Sequence, residues 1–132
     1  MARLTPVQQE RITTIRGFQR TVEQVKRLVT ELDGSRAAST NVITNLCSSI
    51  ERHLSQMRQR AIATDMSVLG DTAGALSVLA GRPVGIALKI RGLGEGVQSM
   101  EIELQGALDR VLAEAKEASD EPPAGAPPPT DA

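Results

Sequence analysis

The chain has 132 residues and a net charge of −1, which is short enough for a single domain. Its aromatic content is 1 %, a single phenylalanine, so the core must be built from Leu, Ile, Val, Met and Ala. Such a core suits packed helices better than a β-sandwich, in which aromatic and β-branched pairs do much of the packing. The composition therefore predicts an all-α protein.

Charge is distributed unevenly along the chain. Residues 1–36 carry seven basic and four acidic side chains, whereas residues 95–121 carry eight acidic and two basic ones. We expect this asymmetry to attract the first helix to the last, within one chain or between chains. It gives little support to nucleic-acid binding, which normally requires a concentrated basic face.

Three absences suggest the compartment. One cysteine, Cys47, excludes an internal disulfide framework and fits a reducing environment. The first residues do not have the charged-then-apolar pattern of a secretory signal, and the chain lacks the run of about 18 apolar residues that a spanning helix requires. We expect a cytoplasmic protein, with a peripheral position at a membrane as the alternative.

The first predicted helix covers residues 6–33. Thr5 can cap it, Pro6 occupies its first position, and Gln8 completes a capping box. Gly34 favours termination because glycine readily adopts the left-handed conformation after a helix cap. Apolar residues recur at alternating spacings of three and four, which is typical of a coiled-coil-like seam. The seam residues are Ile15, Phe18, Val22, Val25, Val29 and Leu32.

Three further helices are predicted, over about residues 36–65, 72–80 and 97–118. A short link between the first two helices favours an antiparallel hairpin, and the drifting apolar spacing of the second favours bundle packing. We expect residues 1–118 to form one helical domain and the Pro/Ala-rich residues 119–132 to form a disordered tail. The last helix carries the remaining seam residues, Leu104, Leu108 and Val111.

A glycine-rich stretch, residues 66–100, holds seven of the eleven glycines. Within it, residues 84–90 fit either a strand or a helix, and the glycines that follow make regular structure costly until about Val97. Glycines spaced four apart permit close helix packing, or they form a hinge or connector, which we prefer. These pairs are Gly70/Gly74, Gly81/Gly85 and Gly92/Gly96.

The sequence offers no catalytic constellation. The glycine-rich segments lack the spacing of a P-loop or a dinucleotide-binding loop. His53, the only histidine, lies on a different side of its predicted helix from Cys47, so the two cannot form a nucleophile–base pair locally. Spacings typical of metal ligands are also absent. We therefore predict a non-enzymatic protein with no catalytic residue, cofactor or metal.

One part of the sequence resembles a known family. The run MRQRAI at residues 57–62, followed by DTAGALSVLAG at residues 71–81, resembles the start of the apolipoprotein L central hairpin. The resemblance covers about residues 57–96 and implies lipid association or membrane insertion. Lys89, Arg91 and Glu95 depart from it, because they charge an arm that the family keeps apolar.

Two functions follow from these features. The preferred one is a structural or adaptor protein acting through helix–helix association, with itself as a homo-oligomer or with another helical protein, and with the nine seam residues as the interface. The alternative is a lipid-associated helical protein that uses residues 66–96. Its candidate membrane or hinge residues are Leu76, Leu79, Gly81, Pro83, Lys89 and Arg91.

Overall fold

A computed structural model describes residues 4–120, and side chains within residues 4–117. This part of the chain consists of four helices, and it confirms the all-α bundle. Each helix packs against its neighbours in sequence, and the last packs against the first, as in an up-and-down bundle. The helices are α1 (Pro6–Gly34), α2 (Thr40–Ala63), α3 (Ser67–Gly81) and α4 (Ile86–Asp120).

The predicted disordered tail, residues 119–132, lies outside the described residues, apart from the last two backbone positions of α4.

The first helix begins as its sequence predicts. The Thr5 hydroxyl accepts a hydrogen bond from the backbone N–H of Gln8 at 3.1 Å, and the Thr5 N–H donates to the Gln8 side chain at 3.0 Å. This reciprocal pair satisfies backbone donors that would otherwise lack partners in the first turn. With 29 residues, α1 is about 43 Å long at about 1.5 Å per residue.

The second and third helices begin at different residues from those predicted. Helix α2 starts at Thr40 because Ser39 is its cap, with the Ser39 hydroxyl accepting from the Val42 N–H at 3.4 Å. Asp65 adopts a left-handed backbone with φ of 58° just after α2, and α3 starts two residues later. The chain therefore reverses in three residues and α3 is longer than the predicted 72–80.

The last helix begins at Ile86, so the prediction that regular structure resumes only near Val97 is wrong. Each glycine in a helix costs about 1 kcal/mol relative to alanine. Burial of apolar side chains at helical spacing opposes that cost, at about 1.5–3 kcal/mol for each large residue. The residues that provide it before the predicted start are Ile90 and Leu93, which continue the buried series through Val97 and Met100.

Two of these glycines are points of close packing, so the hinge interpretation is wrong for Gly92 and Gly96. A Cβ atom at Gly92 would lie 2.6 Å from Cδ2 of Leu79, and one at Gly96 would overlap both methyl groups of Leu76. The side chains of α3 therefore rest directly on the backbone of α4. Gly94, between them, faces open space.

Ion pairs join the first and last helices within one chain. Lys26 Nζ lies 3.3 Å from Glu101 Oε2, and Arg11 Nη1 lies 3.6 Å from Glu114 Oε2. All four side chains are exposed or half-exposed, so each pair contributes at most about 1 kcal/mol. The predicted attraction between α1 and α4 is therefore observed within one chain, as these two ion pairs.

The glycines of α4 supply a test with an internal control. Gly96→Ala should lower the free energy of unfolding by about 1–3 kcal/mol, because the new methyl group overpacks against Leu76. Gly94→Ala should raise it by about 0.5–1 kcal/mol, because alanine favours helix and meets no neighbour. Urea unfolding followed by circular dichroism measures both. Equal effects of the two substitutions would contradict the close contact of α3 with α4.

Candidate functional site

The nine predicted interface residues all lie inside the chain's own core, where none is more than 8 % exposed. In the single chain the other helices already cover these side chains. A partner could reach them only if the helices separated. Helix–helix association therefore remains a prediction that needs another surface.

The six predicted membrane or hinge residues are scattered. Leu76 is buried and Leu79 half-buried against α4, and Lys89 is buried at the start of that helix. The exposed Arg91 donates from Nε to Glu95 Oε1 at 3.3 Å. Gly81 is exposed at the end of α3, and Pro83 is exposed in the connection between α3 and α4.

A groove at one end of the bundle has a volume of about 650 Å³. It arises because the helices have unequal lengths. The turn between α2 and α3 meets α1 near Ile15 and α4 near Ala107, where all of them line the groove. Beyond that point α1 continues back to Pro6 and α4 continues to Asp120 as a two-helix projection. We call this recess the end groove.

The floor of the end groove is apolar and its rim is unusually exposed. Ile15, Val111 and Ala107 form the buried or half-buried side. Val7 of α1 and Val68 of α3 stand at the edges, where they are 64 % and 65 % exposed. Two exposed valines facing one recess make an apolar edge larger than a single scattered surface residue provides.

Charged side chains of both signs surround this floor. Arg11 pairs with Glu114 across the two projecting helices. Burial raises the pKa of Glu103 above its ordinary value of 4.5, and attraction to Arg110 offsets part of that rise. The acidic residues at the groove are Glu10, Asp65, Glu103 and Glu114, and the basic ones are Arg11 and Arg110.

A second, smaller recess of about 410 Å³ lies between α1 and α2. Its lining is mostly polar, and Arg60 stacks over the ring of Phe18 with 5.8 Å from Cζ to the ring centroid. His53 lines it and binds the backbone carbonyl of Ser49 through Nδ1 at 2.7 Å. Within residues 4–117, no cluster of three His, Cys, Asp or Glu side chains is placed to hold a metal ion.

Comparisons of this chain with protein-family models, with curated proteins and with solved structures found no match. Among the described helices, none combines the length and the apolar character needed to cross a membrane.

The end groove was not predicted, because it depends on where the turn between α2 and α3 lies along α1 and α4, which are distant in sequence. The early start of α4 was also not predicted. The signal was present: Ile90, Leu93, Val97 and Met100 have the same alternating spacing as the α1 seam. The predicted bounds already made α3 the shortest helix, and the structure gives it 15 residues against 29 in α1 and 35 in α4. Unequal lengths in a bundle must leave the longer helices uncovered at an end.

The raised pKa of Glu103 predicts a dependence of stability on pH. Its folded-state pKa lies above the unfolded value, so its contribution to stability is full below 4.5 and is lost as pH rises through the raised pKa. Glu103→Gln removes this loss. The thermal unfolding midpoint of the variant should exceed that of the wild type at neutral pH and match it below pH 4.5. A variant less stable at neutral pH would contradict burial as the dominant cause.

Proposed function

We propose that this protein is a non-enzymatic structural or adaptor protein that associates with a second copy of itself through the end groove. The observation that carries the proposal is the projection of α1 and α4 beyond the turn between α2 and α3. In the described part of the projection α1 and α4 contact only each other, whereas inside the bundle α1 also packs on α2 and α4 also packs on α3. The projection of a second copy, packed against it, would restore a four-helix arrangement.

The exposed edges of the groove support this occupant. In a two-fold dimer both subunits use the same patch, so an exposed apolar residue of each subunit is covered by the other subunit. Val7 and Val68 are exposed residues of different helices that line the same recess, which suits such a reciprocal contact. Burying them on a second copy would gain roughly 1.5–3 kcal/mol for each side chain.

The charge pattern also favours a second copy. A charged patch that contacts its own copy avoids repulsion when it carries both signs, because each copy meets the charges of the other. The groove carries both signs, with Arg11 and Arg110 beside Glu10, Asp65, Glu103 and Glu114. A patch of one sign would repel its own copy, so the mixed set fits self-association better than a strongly basic or acidic patch would.

Lipid association through residues 66–96, as implied by the apolipoprotein L resemblance, is the competing function. The surface that favours it is at the other end of α3, where Val78 is 53 % and Leu88 62 % exposed. Exposed Arg82 and Arg91 lie on the same α3–α4 hairpin and could attract anionic headgroups. This surface is separate from the end groove, so one experiment can distinguish the two functions.

Matched substitutions on α3 test the proposal. Val68→Glu places a carboxylate beside four acidic residues of the groove, at a helix start where a negative charge favours the fold. It should weaken self-association at least tenfold, on the order of 1.4 kcal/mol. Val78→Glu, at another exposed valine of the same helix, should leave self-association unchanged. Sedimentation velocity across a range of concentrations measures the mass, and circular dichroism verifies the fold.

The same proteins are then mixed with vesicles of anionic and neutral lipid. The proposal is supported if the wild-type protein forms dimers that bind neither kind of vesicle, and if the Val68→Glu variant does not form these dimers. A wild-type protein that is monomeric at every concentration overturns it. If that monomer also binds anionic vesicles, and Val78→Glu weakens the binding, the lipid function replaces it.

A further inference from the structure

Lys89 is the most deeply buried charged side chain in the described core, with 9 % exposure. Its Nζ lies 3.9 Å from Sγ of Cys47, and this is its polar contact in the structure. Among side chains of residues 4–117 no carboxylate forms an ion pair with it. A buried lysine is normally paired with an acidic group, because an isolated charge is costly to bury. This lysine faces a thiol instead.

The position of the pair follows from the length of α3. Gly81, the last residue of α3, lies beside Glu51 of α2, so the first turns of α2 extend beyond α3. There the Lys89 side chain reaches across from α4 to Cys47 of α2, helices that are diagonal in the bundle and do not otherwise approach closely in the described part. The two atoms meet at the end of the bundle opposite the end groove.

This geometry suits a reaction between the two side chains. Cysteines that react with oxidants are typically found beside basic side chains. Sulfenic acid, the first oxidation product of a thiol, can condense with a nitrogen to form a sulfenamide. Here an amine is held at the sulfur, and the two residues are largely buried, with Cys47 8 % and Lys89 9 % exposed.

We propose that Cys47 and Lys89 form an oxidant-responsive modification site, in which hydrogen peroxide generates a covalent S–N bond between Sγ and Nζ. In the first step the thiol gives two electrons to the peroxide, one oxygen is transferred to sulfur, and water leaves. In the second step Lys89 loses a proton to solvent and its neutral amine attacks the sulfenic sulfur. The S–O bond breaks, and the oxygen leaves as water with a second proton.

The product ties α2 to α4 across the bundle. It has lost two hydrogen atoms relative to the starting chain, and a thiol reductant should reverse it. Because the new bond closes a loop between residues 47 and 89, it restricts the unfolded chain and should raise the unfolding temperature. That increase should disappear on reduction.

Mass spectrometry of the full-length protein tests the site. After treatment with hydrogen peroxide and removal of the excess, we expect an intact mass lower by two hydrogen atoms. Trypsin should release residues 37–52 joined to residues 61–91, because a modified Lys89 no longer supports cleavage. Methionine oxidation adds oxygen, so mass distinguishes it from this bond.

Two variants make the result specific. Cys47→Ser should lose the joined peptide. Lys89→Met keeps an unbranched side chain, so Cys47 should remain as sulfenic acid and be captured by dimedone severalfold more than in the wild type. Circular dichroism verifies that both variants are folded. A wild-type protein that gives only sulfinic or sulfonic acid, an intermolecular disulfide, or equal dimedone capture with and without Lys89 overturns the proposal.

Discussion

Leu76 and Leu79 of α3 rest on the backbone of α4 because Gly96 and Gly92 leave room for them. On its other side α3 approaches α2 closely. A Cβ atom at Gly70 would lie 3.5 Å from the methyl group of Ala61. A helix of 15 residues, six of which are alanine or glycine, has little side-chain area to bury. It can complete a dense core only by lying close to both neighbours. The rest of the bundle is arranged around this constraint.

The position of α3 makes the two ends of the molecule different. Where α3 begins, the turn from α2 leaves α1 and α4 projecting, and the end groove forms between them. Where α3 ends, the first turns of α2 are left beside α4, and Lys89 fills the space to Cys47. The groove and the buried pair therefore have one origin, which is that α3 is shorter than the other three helices.

Burial within one chain changes the meaning of two sequence features. The seam of α1, from Ile15 to Leu32, has the pattern of an oligomer interface but is buried against the chain's own helices. The opposite charges of the two ends likewise meet inside the monomer, as in the pair of Lys26 with Glu101. What remains for a partner is the small set of exposed apolar residues, of which Val7 and Val68 share a recess.

The sequence alone determined the helical class, the start of α1 at its capping box and the apolar face of that helix, because these depend on interactions within a few residues. It did not place Gly92 and Gly96 in a helix, because their local preference opposes it and only Leu76 and Leu79 of another helix favour it. The end groove and the Cys47–Lys89 contact also required the tertiary structure. Each depends on where a helix stops relative to neighbours distant in sequence, and no local pattern encodes that distance.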